Sequence, residues 1–201
     1  VMFNLYLLRL GYETPFVGLF WMVSMLFHGL FAFPAGLIGD KIGRRKAFII
    51  ATTLSLVARG SLLFVRDPAA LLVLAALGGM GEGFHAVAGA PFMMENSEPE
   101  ERPHLFSLNS SFGMISLFAG SISGGFLPLF WSGILDVPAL DPSAARWALV
   151  VSLPLAFLAL VPLAVIREKP IELVERFRDL FTLRNVVNYD IIWKLTLCGA
   201  I

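Results

Sequence analysis

Charge is scarce in this sequence. Only 15% of its 201 residues are Asp, Glu, Lys or Arg, against about 25% in an ordinary soluble domain. Length alone fits one or two soluble domains, but such domains need a charged surface to stay in solution. Neither sign of charge dominates. Fifteen basic and fifteen acidic side chains give a formal net charge of zero, with no sign of the basic face that nucleic acid requires. Cysteine is nearly absent. Cys198 stands alone, so no disulfide can form within the chain and the redox compartment is not indicated. With one cysteine and scattered histidines there is no zinc-type cluster. No Gly-x-x-x-x-Gly-Lys-Ser/Thr run occurs, so ATP-driven work is not indicated, enzyme signatures are missing and no cofactor is implied. The chain opens with VMFNLYLL, without the basic leader of a secretory signal.

What is present is apolar sequence in long blocks. Hydrophobic residues make up 57% of the chain and the mean hydropathy is +0.78. A helix needs about 20 apolar residues to cross the hydrocarbon core. Five segments meet that need, at about 16–39, 47–65, 69–94, 105–131 and 146–166. Residues 1–10 are too short to span and read as the outer end of a first helix. Residues 189–201 read as the opening turns of a seventh. Turns separate the spans: Gly11 to Pro15, Asp67-Pro68, Glu98-Pro99, Arg102-Pro103, Pro138 and Asp141-Pro142. A residue before proline is biased away from helix, so these are natural boundaries.

Charge orients the spans. Cytoplasmic loops are enriched in Lys and Arg. With 40–46 inside, alternation puts 95–104 and 167–188 inside too. Those three segments hold Lys41, Arg44, Arg45, Lys46, Arg102, Arg167, Lys169, Arg176, Arg178 and Arg184. The other side holds Arg9, Arg66 and Arg146. Trp131 and Trp147 fall near outer ends and Trp193 near an inner end, where aromatic belts sit. Residues 171–184 are amphipathic, with Ile171, Val174, Phe177 and Phe181 at helical spacing. They predict a helix lying at the cytoplasmic interface; packing on a soluble domain is the alternative.

The loop after the second span reads Gly36-Leu37-Ile38-Gly39-Asp40-Lys41-Ile42-Gly43-Arg44-Arg45-Lys46. Glycine lets a helix end and turn tightly. Asp40 can cap that turn or receive an arginine, and the basic cluster holds the loop on the cytoplasmic face. The segment resembles motif A of the major facilitator superfamily, GxxxD(R/K)xGR(R/K), at every defining position. It also lies between the second and third spans, where that family carries it. The resemblance implies an all-α, polytopic transmembrane helix bundle. The chain would be the amino-terminal six-helix half with its first helix truncated. Residues 1–166 would be the N-terminal bundle, 167–188 the cytoplasmic central loop, and 189–201 the start of helix 7. The carboxy-terminal bundle, a partner in the same protein, would lie beyond it.

In that family two bundles rock around a midplane cavity. The resemblance implies that Gly36, Gly39, Asp40, Lys41, Gly43, Arg44 and Arg45 form a cytoplasmic gate latched in the outward-open state. Glu95 and Arg102, bracketing the 4–5 loop, would be its partners; a solvated loop is the plainer reading of both. Gly120-Ser121-Ile122-Ser123-Gly124-Gly125 is similar to the antiporter motif C, with serine in place of its proline. Ser116, Gly120 and Gly124, four apart, equally suit a helix-packing face, as do Gly79 and Gly83. Motif B would put an arginine four residues before Gly79, and Ala75 stands there instead.

Ionisable groups inside a bilayer are expensive and are functional candidates by default. Glu82 and His85, three apart, share a face of the fourth span. They are candidates for taking up a proton, a cation or a basic substrate, or for a buried structural pair. His28, midway through the second span, can bind or simply hydrogen-bond a neighbouring helix. Arg59, on the third span, can snorkel outward or pair within the bundle. Asn4, Tyr6 and Asn109 are further polar candidates. The expected partners are the lipid bilayer, a small-molecule substrate and protons, without nucleic acid. The expected protein is a secondary transporter in the plasma membrane. A receptor, sensor or assembly subunit on a carrier scaffold is the competing class, because fold does not settle function.

Overall fold

Proline and aspartate start the helices and glycine turns them. In the computed structural model, which describes residues 2–138 and 140–165, helix α1 (Met2–Arg9) ends at a turn through Gly11, whose φ is 95°. Helix α2 (Thr14–Ile42) follows, with Pro15 in its first turn. There the missing amide of proline costs nothing. One residue, Gly43, separates α2 from helix α3 (Arg44–Leu62). Helix α4 (Pro68–Glu95) starts at Asp67, whose carboxylate accepts the Ala70 N–H at 2.8 Å. Helix α5 (Arg102–Leu135) ends on Asp136 with φ 52°, a conformation that Asp tolerates better than most residues. The last span comes in three pieces, α6 (Pro142–Val150), α7 (Ser152–Leu158) and α8 (Leu160–Val165). No strand occurs among the described residues.

Among the described residues four stretches are long and apolar enough to cross a membrane: Thr14–Ile42, Pro68–Glu95, Arg102–Leu135 and Pro142–Pro162. The expected span at 47–65 is a helix, but it is not among these four. The reason is chemical: α3 opens on Arg44, Arg45 and Lys46 and carries Arg59 near its end. The expected 40–46 loop is likewise mostly helix, and Gly43 is its one residue outside α2 and α3. The amphipathic segment 171–184, Trp193, Cys198 and the predicted start of a seventh helix lie outside the described residues.

Helix α4 packs against both α2 and α3, and small residues make that possible. A Cβ at Gly79 would overlap the Ser24 backbone carbonyl of α2. At Gly83 it would stand 2.8 Å from the His28 carbonyl oxygen, and at Gly81 it would be 3.0 Å from that of Ala51 in α3. Membrane helices associate by such close van der Waals contact, since lipid removes the hydrophobic drive between them. Two cores result. One gathers Leu7, Val17, Phe20, Leu62, Leu71 and Ala75. The other gathers Ala35, Ala47, Ala51, Phe84 and Ala88. Helix α5 is the contrast. Phe112, Phe118 and Phe126 on it are more than 60% exposed, a surface suited to lipid or another apolar partner rather than water.

Candidate functional site

Two clusters bring candidate residues together. The first lies where α2 meets α3. Gly43 has φ 99° and ψ 146°, a region that side chains rarely enter and glycine enters freely. That turn points Arg44 back along α2, where its guanidinium forms an ion pair with Asp40. The same guanidinium reaches α4, with Arg44 Nε 3.4 Å from Glu95 Oε1. Arg44 is 15% exposed on its side chain, so one half-buried cation joins three helices. Gly39 makes room for it: a Cβ there would stand 3.2 Å from an Arg44 guanidinium nitrogen. Arg102 closes the next turn by donating to the Met94 carbonyl oxygen at 3.2 Å. Gly36 faces open space. Lys41 and Arg45, the sequence neighbours of this pair, also make interactions of their own.

The second cluster is a cavity of about 520 Å³ walled by α2, α3 and α4, with Phe3 of α1, Leu149 of α6 and Ser152 and Leu153 of α7 completing its lining. Most of its lining is apolar. Arg59 and Glu82 line it and form an ion pair across α3 and α4. Their side chains are 65% and 45% exposed, so the pair is open to a visitor. His28 and Ser24 of α2 add polar groups, and Trp21 and Phe20 add aromatic wall. The Trp21 ring is held in place by its Nε1–H, which donates to Asn4 Oδ1 at 2.7 Å.

The structure separates some candidates that the sequence grouped. Glu82 lines the cavity, whereas His85, one turn on, lies 3.2 Å from the Thr52 hydroxyl of α3 and edge-on to Phe48. Tyr6 is buried and donates to the Leu63 carbonyl oxygen at 3.5 Å. Asn109 sits exposed on α5, away from the cavity. Gly79 and Gly83 are pressed against α2, whereas a Cβ at Gly120 would meet open space and Gly124 is buried. Trp21, Ser24 and Met25 line the cavity without having stood out as candidates. Their one sequence signal is that they fall a turn apart on the face of α2 that ends in His28. Among the described residues no group of His, Cys, Asp and Glu could hold a metal ion.

Long apolar helices, a tight α2–α3 turn stapled by arginine and an ion pair between α3 and α4 define a polytopic α-helical membrane protein. Residues 1–200 match the family model described as Major Facilitator Superfamily, and the chain belongs to that family. It is 34% identical over 125 residues to a Bacillus subtilis (strain 168) protein provisionally named as a niacin/nicotinamide transporter, covering 61% of this chain and 31% of that protein. It is 32% identical over 166 residues to a Synechocystis sp. protein named as a glucose transport protein, covering 81% and 35%. The chain spans about a third of the length of these relatives. No solved structure matches it significantly.

Proposed function

We propose that the chain is part of a secondary transporter that moves a small organic solute through the membrane by alternating access. The observation that carries this reading is Arg44 held between Asp40 and Glu95. A cation shared by three helix ends is a latch. Its pairs form when the ends close together and break when they part. Family membership and the transporter names of two relatives support the same conclusion. The names of those relatives cover niacin, nicotinamide and glucose, all small polar solutes. The cavity beside α2 and α4 has a volume in the range of ordinary ligand sites, about 300–1,000 Å³. The α2–α3 turn then belongs to the cytoplasmic gate, with Asp40, Arg44 and Glu95 as its working groups and Gly39 and Gly43 as the residues that let them meet. A carboxy-terminal bundle of the same protein closes the far side of the path, and the plasma membrane is its site.

Asp40→Asn removes one of the two charges that hold Arg44. It is expected to lower solute counterflow in proteoliposomes by about tenfold, the effect of losing about 1.4 kcal/mol from one state of a two-state gate. Insertion and the amount of folded protein should stay as in the wild type. Full counterflow in that variant would remove the gate assignment.

A further inference from the structure

Helices α3 and α4 run antiparallel, and polar contacts join them at both ends. At the cavity end Arg59 pairs with Glu82. At the gate end Arg44 Nε stands 3.4 Å from Glu95 Oε1. Between these ends His85 Nε2 lies 3.2 Å from the Thr52 hydroxyl oxygen. Phe48 then meets His85 edge-on at 5.3 Å and Phe92 edge-on at 5.5 Å. Steps along α3 from Arg59 towards Arg44 are matched by steps along α4 from Glu82 towards Glu95.

The rest of that interface is smooth. Ala47, Ala51 and Ala88 are buried in a shared core, a Cβ at Gly78 would meet the Ala58 methyl, and one at Gly81 would meet the Ala51 carbonyl. Such small residues touch by van der Waals contact, which is weak pair by pair and has no preferred direction. Ser55 also faces α4, at Gly81, but its buried hydroxyl makes no hydrogen bond among the described residues. The ion pairs are poor rulers as well. Arginine and glutamate side chains are long, and Arg59, Glu82 and Glu95 are exposed, so they follow a displaced partner at little cost. Thr52 and His85 differ. Threonine is short and stiff at χ1, and a hydrogen bond weakens steeply once its geometry is lost. Either imidazole tautomer is served, because a hydroxyl can donate or accept. Polar contacts of this kind set register between paired helices. A slip of one turn would carry Glu95 about 5.4 Å along the helix axis, out of reach of Arg44.

We propose that His85 and Thr52 are positioning residues for the gate: their hydrogen bond fixes the register of α3 on α4, and that register brings Glu95 to Arg44. The inference deepens the gate reading and rests on it for its role in transport; the register itself does not depend on that reading.

Two measurements on the full-length protein test it, and neither needs a solute. The first reads register through a disulfide. A Cβ at Gly78 would stand 3.7 Å from the Ala58 Cβ, inside the separation of about 3.5–4.5 Å that a disulfide needs. With every native cysteine replaced by serine, Ala58→Cys combined with Gly78→Cys should cross-link under mild oxidation. Thr52→Val should slow that cross-linking about fivefold, the scale of one interhelical hydrogen bond. Thr52→Ser, which keeps the hydroxyl, should restore the rate, and His85→Leu should act as Thr52→Val does. The second measurement reads coupling through thermal unfolding in detergent. Effects of residues that share no contact add. A Thr52 that positions Glu95 breaks that rule, so Thr52→Val should cost roughly half as much or less once Glu95→Gln is present. An unchanged cross-linking rate in both Thr52→Val and His85→Leu would overturn the register lock. Strictly additive losses would overturn the positioning of Glu95. Full solute counterflow in Glu95→Gln, with cross-linking still slowed by Thr52→Val, would refute the gate reading and leave the register lock standing.

Discussion

Single glycines set how close the helices come, and they differ sharply in how much they matter. Gly79 and Gly120 look alike in the sequence, since each begins a pair of small residues spaced four apart. Space separates them. A Cβ at Gly79 would overlap backbone of α2, which cannot yield without moving the helix, whereas one at Gly120 would meet nothing. Gly79→Ala should therefore destabilise the folded protein by about 1–3 kcal/mol, the usual cost of forcing extra volume into a packed contact. Gly120→Ala should leave stability unchanged or raise it slightly, because alanine is the better helix former. Thermal unfolding in detergent reads both. A Gly79→Ala protein as stable as the wild type would mean that α2 and α4 do not meet at this glycine. The same limit applied to the charged candidates. Arg59 and Glu82 were each visible as charges inside apolar spans. Their pairing depends on the register between α3 and α4, and no local pattern in either segment records it.

Helices as units were the most legible level. Runs without charge marked α2, α4 and α5, and proline after an acidic residue marked the starts of α4 and α6. Those signals are local, so the chain carries them whole. What failed was the loop between the second and third spans. Seven residues including four basic ones suggested an exposed connection, yet one glycine suffices because Gly43 takes a φ that turns the chain in a single step. The acidic caps also make a testable element. Asp141 accepts the Ser143 hydroxyl at 2.5 Å and the Ser143 N–H at 2.7 Å. These bonds, the hydroxyl one first, hold its carboxyl below the ordinary value of 3.8. A lowered value means the charged form is favoured by the fold. The contribution is thus complete above pH 3.8 and disappears as the pH falls through the lower folded value. Asp141→Ala should lower the thermal midpoint at neutral pH, and the gap from wild type should close in acid. A gap that stays constant down to the acid limb would show that the cap charge does nothing for α6.

At the scale of the whole molecule α5 allows a direct test of which side faces the cytoplasm. Its 34 residues extend about 50 Å at 1.5 Å per residue, well beyond the roughly 30 Å hydrocarbon core. A helix of that length and apolarity can reach both aqueous phases, and its two ends are expected to lie in different ones. Glu100 precedes it in an exposed turn, and Leu140, 75% exposed, follows it. The basic residues sit unevenly about these ends. Lys41, Arg44, Arg45, Lys46 and Arg102 cluster with the first, while Arg9, Arg66 and Arg146 are spread over the second. The positive-inside bias predicts that the first faces the cytoplasm. With Cys198 and every other cysteine of the full-length protein replaced by serine, Glu100→Cys should resist a membrane-impermeant maleimide applied to intact cells and react only after permeabilisation. Leu140→Cys should react at once. Reversed labelling would invert the molecule and move the Arg44 latch to the outer gate, with the fold untouched. Labelling of both from outside would mean that α5 does not cross the membrane.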